Sequence, residues 1–244
     1  MKARLRAPLL RAAARASRPW VQPAAPSGME TPRRILLIRP DHVGDVLFAT
    51  PAIRALRAAL PDAHIACMVG PWAAQVLTNN PHVDEVLTCP FPGFARRPKK
   101  HLLEPYLLLW RQARALRSTP CDVAFVMRFD HWWGGMLVYW AAIPGRIGYD
   151  LPTVAPFLTE RVPYAAGRHE VEQNMHLVAA LLGHPLGKPG PLEFHPQPEA
   201  VRSAQALLQD AQTGRGLLCL HPGAGAPVKL WRPEAFAEIG DSLA

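Results

Sequence analysis

Residues 33–60 read RRILLIRPDHVGDVLFATPAIRALRAAL, and three kinds of local chemistry follow one another along them. Ile35 to Ile38 is a run of four apolar residues with β-branched ends, too short for a helix and apolar on both alternating faces, which predicts a core strand of a parallel sheet. From Val46 onward apolar side chains recur at Ala49, Ile53, Leu56 and Leu60 with Arg54 and Arg57 off that stripe, which predicts one amphipathic helix over 46–60. The polar turn Pro40-Asp41-His42-Val43-Gly44-Asp45 lies between them. A turn that leaves the C-terminal end of a parallel strand is where open α/β sheets bind ligands, so any chemistry is expected here.

Asp45 follows a glycine and opens the predicted helix, where unpaired N–H groups and the positive dipole end favour a carboxylate. Two readings stand at this point. Asp is a preferred helix cap, and a carboxylate in this position can also act as a general base. Asp41, His42 and Asp45 could be read as metal ligands, but no further ligand cluster lies nearby in the sequence.

The rest of the chain repeats the alternation of strand and helix that marks a doubly wound sheet. Strands are expected at 63–69, 83–88, 122–127 and 145–149, and helices at 71–77, 102–116 and from about Glu170 to Leu182, the last stopped by Gly183. Residues 151–166 read as irregular. The exit of the fourth strand, Arg128-Phe129-Asp130-His131-Trp132-Trp133-Gly134-Gly135, suits either a sugar-binding edge or a pair of core tryptophans. The basic run Arg96-Arg97-Pro98-Lys99-Lys100 is either a solvated connection or a site for an anion. His169-Glu170-Val171-Glu172-Gln173 is not a zinc-protease motif, because the position four beyond His169 is Gln173.

Residues 184–198 are rich in proline and glycine and read as a linker. Beyond it come an expected helix at 201–208, a buried strand at 216–220, the turn His221-Pro222-Gly223-Ala224-Gly225, then Lys229, Trp231 and a final helix from Pro233. Glycines let backbone N–H groups approach a phosphate and a nearby lysine adds a full charge, so this turn is either a pyrophosphate cradle or a plain glycine turn.

The chain has 244 residues, 49% of them hydrophobic, enough for one large or two modest cores. Lys and Arg outnumber Asp and Glu by 27 to 19. Lys2, Arg4, Arg6, Arg11, Arg15 and Arg18 supply most of that excess with no acid before residue 29, so the body of the chain carries no strongly basic face of the kind nucleic acid requires. The opening 30 residues contain no secretory signal and no membrane-spanning run. They read either as a transit-like segment or as residues upstream of a start at Met29, and disorder is expected over 1–30. Cys67, Cys89, Cys121 and Cys219 show no paired spacing and read as reduced, buried thiols.

Jointly, ILLIRPDHVGDVLFATPAIRALR, HEVEQNMHLVAALLG and LHPGAGAPVKLWRPEAFAEI resemble the signature segments of glycosyltransferase family 9, the ADP-heptose:lipopolysaccharide heptosyltransferases and their relatives. The resemblance covers roughly residues 33–244. It implies a GT-B fold: a Rossmann-like, acceptor-side domain at 33–183, the linker at 184–198, and at 199–244 the incomplete start of a second Rossmann-like, nucleotide-sugar-binding domain. The family's later segments have no counterpart, so a C-terminally truncated chain is expected.

By the same resemblance, the activity is inverting transfer of a sugar, heptose above all, from an ADP-sugar to a lipopolysaccharide core or related glycolipid. Asp45 would be the catalytic base, and Gly44, Gly223, Ala224, Gly225 and Lys229 the donor-binding residues. No cofactor, no metal and no nucleic-acid partner are expected, and the location is cytoplasmic with peripheral contact at the inner-membrane face. The alternative from a different class is an inactive remnant serving only as an acceptor-binding domain.

Overall fold

The computed structural model describes residues 2–17, 31–95, 101, 103–119, 121–209, 218–225 and 227–243. They fall into two compact units, Met1–Pro196 and Gln197–Ala244.

The first unit is built on six parallel strands: β1 (Arg34–Arg39), β2 (His64–Val69), β3 (Glu85–Thr88), β4 (Val123–Val126), β5 (Gly145–Tyr149) and β6 (Glu160–Val162). Their order across the sheet is β3-β2-β1-β4-β5-β6. The apolar run that opens the chain's central stretch behaves as its pattern requires. Leu36 and Ile38 join the core on one face, Ile35 and Leu37 the core on the other. A strand covered on both faces must be apolar at every position, because no face is left for water. β6 lies within the stretch read as irregular; it is only three residues long and pairs with β5 alone.

One face of the sheet is covered by α1 (Lys2–Ser17), α4 (Glu104–Ser118) and α5 (Trp132–Trp140), the other by α2 (Val43–Leu47), α3 (Thr50–Ala59) and α6 (Glu170–Leu182). α1 corrects the expectation of disorder over its length. Leu10 and Ala14 are buried against α5, and the Tyr139 hydroxyl donates to the Ala14 carbonyl at 2.9 Å. Residues 18–30 of the expected disordered segment lie outside the described residues. The helix expected at 71–77 is only a single 3₁₀ turn, Ala74–Val76.

The helix expected over 46–60 is two helices. Pro51 has no N–H to give the Leu47 carbonyl, so the ladder breaks there. The Thr50 hydroxyl donates to that carbonyl instead, at 2.8 Å, and Asn174 Nδ2 donates to the Phe48 carbonyl at 3.1 Å. The break leaves α2 as a short, separate helix after the end of β1.

The boundary between the units falls within the stretch 184–198, and its residues up to 196 are held against the first unit. Arg54 and Glu193 form an ion pair, the Glu193 N–H donates to the Thr50 hydroxyl at 3.0 Å, and Asn79 donates to the His195 carbonyl at 3.2 Å. The segment is strapped to α3 and its neighbours up to the boundary of the unit.

The second unit holds α7 (Pro198–Gln209), a 3₁₀ turn at Pro227–Lys229 and α8 (Pro233–Leu243). The strand expected at 216–220 is not formed over its described residues: Leu218 and Leu220 are exposed and have no ladder. Residues 216 and 217 lie outside the described residues. A lone buried strand needs neighbours on both sides, and none is present among the described residues of this unit.

Candidate functional site at the switch point of the sheet

In the order β3-β2-β1-β4-β5-β6 the chain reverses direction across the sheet between β1 and β4, and the crevice outside their C-terminal ends is where such sheets bind ligands. The residues that emerge there form a single charged cluster around Arg39, the last residue of β1.

Arg39 is 3% exposed, and its guanidinium is surrounded on every side. Nε pairs with the Asp41 carboxylate at 2.9 Å and Nη2 with Glu170 at 2.9 Å. Nη1 donates to the Met127 carbonyl at 3.1 Å and to Asn174 Oδ1 at 3.3 Å. A buried guanidinium needs carboxylates and carbonyls on its fork to offset desolvation, and the ends of β1 and β4 and the first two turns of α6 provide them. Glu170 and Asn174 stand four apart on α6 and so share one side of it. Their signal in the sequence was this spacing, but nothing local shows that Arg39 is what they face.

Asp41 is 2% exposed and is held by a second arginine, Arg128, through an ion pair with Nη1. Its backbone carbonyl accepts from Trp72 Nε1 at 2.8 Å. That approach is why Gly70 is glycine: a Cβ there would sit 2.1 Å from the Trp72 ring. Burial by itself would lower the Arg128 pKa. Its hydrogen bond to Asp130, at 2.6 Å, and the charge of Asp41 outweigh that and raise it. Asp41 is therefore a structural anion between two arginines: Oδ1 accepts from Arg128, and Oδ2 is ion-paired with Arg39 Nε without hydrogen-bond geometry. Among the described residues no three His, Cys, Asp or Glu side chains converge as metal ligands.

Asp45 is placed differently. His42, not Asp45, is the N-cap of α2, and Asp45 lies inside the first turn, so the capping reading of Asp45 is corrected. Its carboxylate is 41% exposed and its one recorded ion-pair distance is 3.8 Å to Arg39 Nη2. Beside it, His42, Val43 and Gly44 are exposed, and a Cβ built on Gly44 would meet nothing within 4 Å. Of the carboxylates around Arg39, Asp45 combines the greatest exposure with the loosest pairing, and it stands at the positive end of a helix. Next to Arg128, whose guanidinium lies over its ring, Phe129 is stacked on Tyr164 with ring centroids 4.7 Å apart.

The sugar-edge reading of the paired tryptophans is corrected. Trp133 is 1% exposed and donates to the Pro105 carbonyl at 3.0 Å, and Trp132 is half-buried under Arg6. Both begin α5, a helix that was not among those expected from the sequence. Behind the site, His131 is buried among Phe91, Phe94 and Trp133, and neither ring nitrogen has a hydrogen-bond partner among the described residues. Burial first, then the charges of Arg128 and Arg39, push its pKa down to about 3.

The other residues expected to bind donor are in the second unit. His221, Gly223, Ala224 and Gly225 are exposed on an extended turn, and Lys229 is exposed at the end of the 3₁₀ turn. Gly44 stands apart from them in sequence and unit, on α2. Cys219 is exposed rather than buried, whereas burial raises the thiols of Cys67 and Cys89 to about 12.

A parallel sheet in this order, covered by helices on both faces and with a charged cluster at its switch point, defines a Rossmann-like α/β domain. The sequence profile of glycosyltransferase family 9 (heptosyltransferase) matches residues 109–244, more than half of the chain, and the chain belongs to that family.

Solved structures agree on the fold. A glycosyl transferase family 9 protein from Veillonella parvula DSM 2008 superposes with a TM-score of 0.69 at 22% identity, over 86% of this chain and 59% of that one. ADP-heptose lps heptosyltransferase II of E. coli gives 0.63 at 23% identity, over 86% and 61%. The E. coli heptosyltransferase WaaC with ADP-2-deoxy-2-fluoro heptose gives 0.60 at 20% identity, over 86% and 65%. The chain thus spans about three fifths of the length of these structures. None of the curated proteins matches it significantly.

Proposed function

We propose that this chain carries the acceptor-side domain and the start of the donor-side domain of a glycosyltransferase that moves heptose from an ADP-activated donor to a lipopolysaccharide core or related glycolipid, with inversion and without a metal. The observation that carries the reading is Asp45: a half-exposed carboxylate at the switch point, on the first turn of a helix, loosely paired while Asp41 beside it is buried between two arginines. Membership in the heptosyltransferase family supports the choice of sugar and donor.

In this reading Asp45 takes the proton from the acceptor hydroxyl as that oxygen attacks the anomeric carbon and the nucleoside diphosphate departs from the opposite side. Arg39 fixes the orientation of the loop and of Glu170, and it limits the electrostatic cost of a carboxylate in the crevice. On the second unit, the N–H groups of Gly223 to Gly225 and the ammonium of Lys229 are the groups suited to the pyrophosphate charge that grows as the bond breaks. The acceptor places the work at the cytoplasmic face of the inner membrane.

The test is Asp45→Asn, assayed by ADP release from an ADP-heptose with a core acceptor and by calorimetric titration of ADP. Turnover is expected to fall by roughly 10²–10⁴, the usual contribution of a general base, with ADP affinity unchanged. Unaltered turnover removes Asp45 from the chemistry. Parallel titration of Lys229→Ala should show weaker ADP binding; absence of ADP binding to the parent chain would instead support the acceptor-binding remnant.

A further inference from the structure

α4 is apolar on two sides. Leu109, Ala113 and Leu116 face the core and are buried. On the opposite side Leu103, just before the helix, and Tyr106, Leu107 and Trp110 are 68%, 51%, 55% and 54% exposed. Their spacing of three and four residues puts them on one outward stripe, which Arg114 and Arg117 continue toward the C-terminus, with Arg111 beside it. The Arg114 guanidinium lies over the Trp110 ring, 5.6 Å from its centroid. A soluble surface rarely presents four large apolar side chains together, and a stripe of Leu, Tyr and Trp beside arginines is the pattern of a helix that lies in a bilayer interface.

Charge is divided between the two faces of the sheet in the same sense. By sequence, the described side chains of α1, α4 and α5 include Arg6, Arg11, Arg15, Arg111, Arg114 and Arg117 against one acid, Glu104. The helices on the other face, α2, α3 and α6, carry Arg54 and Arg57 against Asp45, Glu170 and Glu172. The run Arg96-Arg97-Pro98-Lys99-Lys100, which precedes α4 in sequence, lies outside the described residues. No described helix is long and apolar enough to cross a membrane.

We infer that the outward stripe of α4 docks the first unit on an anionic phospholipid surface, with Leu103, Tyr106, Leu107 and Trp110 entering the interfacial layer and Arg111 and Arg114 against lipid phosphates. The inference deepens the acceptor half of the function proposed above and rests on that reading for its purpose, not for its surface. Membrane contact on this face would leave the crevice at the strand ends beside it, within reach of an acceptor anchored in the same leaflet.

The experiment is co-sedimentation of the 244-residue protein with vesicles of phosphatidylcholine alone and of phosphatidylcholine containing phosphatidylglycerol, alongside Leu107→Ser/Trp110→Ser and Arg111→Glu/Arg114→Glu. The parent is expected to bind only the anionic vesicles, less at high salt, and each double variant to bind roughly tenfold or more weakly. All four side chains are exposed, and circular dichroism should be the same for the three proteins. Equal binding by the variants, or no preference for the anionic lipid, overturns the inference. So does a parent that dimerises in gel filtration and fails to bind vesicles, with a monomeric Leu107→Ser/Trp110→Ser variant, since a second copy would then cover the stripe. ADP titration in vesicle-free buffer reports on the donor site independently, so a failure of that reading is told apart from a failure of this one.

Discussion

His131 should make the first unit acid-sensitive in a way that one substitution removes. Its ring is 4% exposed, has no hydrogen-bond partner among the described residues, and titrates near 3 instead of 6.5. Between those two pH values the unfolded chain holds a proton on this ring that the native protein does not. Stability therefore rises with pH through this window and is lost as pH falls below about 6.5. Each pH unit is worth about 1.4 kcal/mol, so lowering the pH from 6.5 to about 5 removes about 2 kcal/mol through this group alone.

H131F keeps an aromatic ring among Phe91, Phe94 and Trp133 and has nothing to titrate. Urea unfolding followed by tryptophan fluorescence, at about pH 7.5 and about pH 5 for both proteins, isolates the term. The parent should lose about 2 kcal/mol more than H131F across that interval. The comparison is between slopes, so a constant packing penalty in the variant does not affect it. Parallel pH profiles would refute the argument, because they would mean that the ring is protonated or hydrated in the native state.

Arg39→Met leaves Glu170 and Asn174 facing an apolar side chain and removes one of the two cations on buried Asp41. A loss of about 3–5 kcal/mol in urea unfolding is expected, as for breaking a buried ion cluster, and a loss under about 1 kcal/mol would show that Arg128 suffices. Thr50→Val keeps the shape but strands the Leu47 carbonyl and the Glu193 N–H, which should cost about 1–3 kcal/mol; hydrogen exchange should show the Glu193 amide losing protection first. Of the four thiols, the exposed Cys219 should react promptly with a disulfide reagent in the native protein, while the buried Cys67 and Cys89 wait for unfolding; prompt modification of Cys67 or Cys89 would contradict their burial.

The division between what was legible and what was not follows the range of the forces involved. β1, β2 and β4 could be read directly, because the central residues of a strand buried on both faces have to be apolar; β5 is a strand in spite of the buried Arg146 at its second position, whose guanidinium donates to the Phe157, Ile143 and Pro144 carbonyls. α6 could be read from its periodicity and from Gly183, whose φ of +73° ends it at little cost for a residue without Cβ. The split between α2 and α3 had a visible cause in Pro51, but the apolar spacing ran across it and concealed the break. α5 was missed because it is buried on nearly every side, so Trp132–Trp140 has no polar face to give a period. α1 was missed because its composition resembles a solvated tail; Leu10 and Ala14 become core residues only against α5.

For the site, the local sequence determined that a polar turn bearing Asp45 would follow the first strand, and resemblance drew attention to that carboxylate. Which of the turn's two aspartates is engaged, and which is open, was decided by Arg39, Arg128, Glu170 and Asn174. These come from three separate stretches of chain, and only the parallel order of the sheet brings them together. A short-range pattern can specify a strand, a cap or a turn because its partners are a few residues away. This buried ion cluster includes one local pair, Arg39–Asp41, but its other partners on Asp41 and Arg39 are 87 to 135 residues away, and such distances are closed only by the tertiary fold.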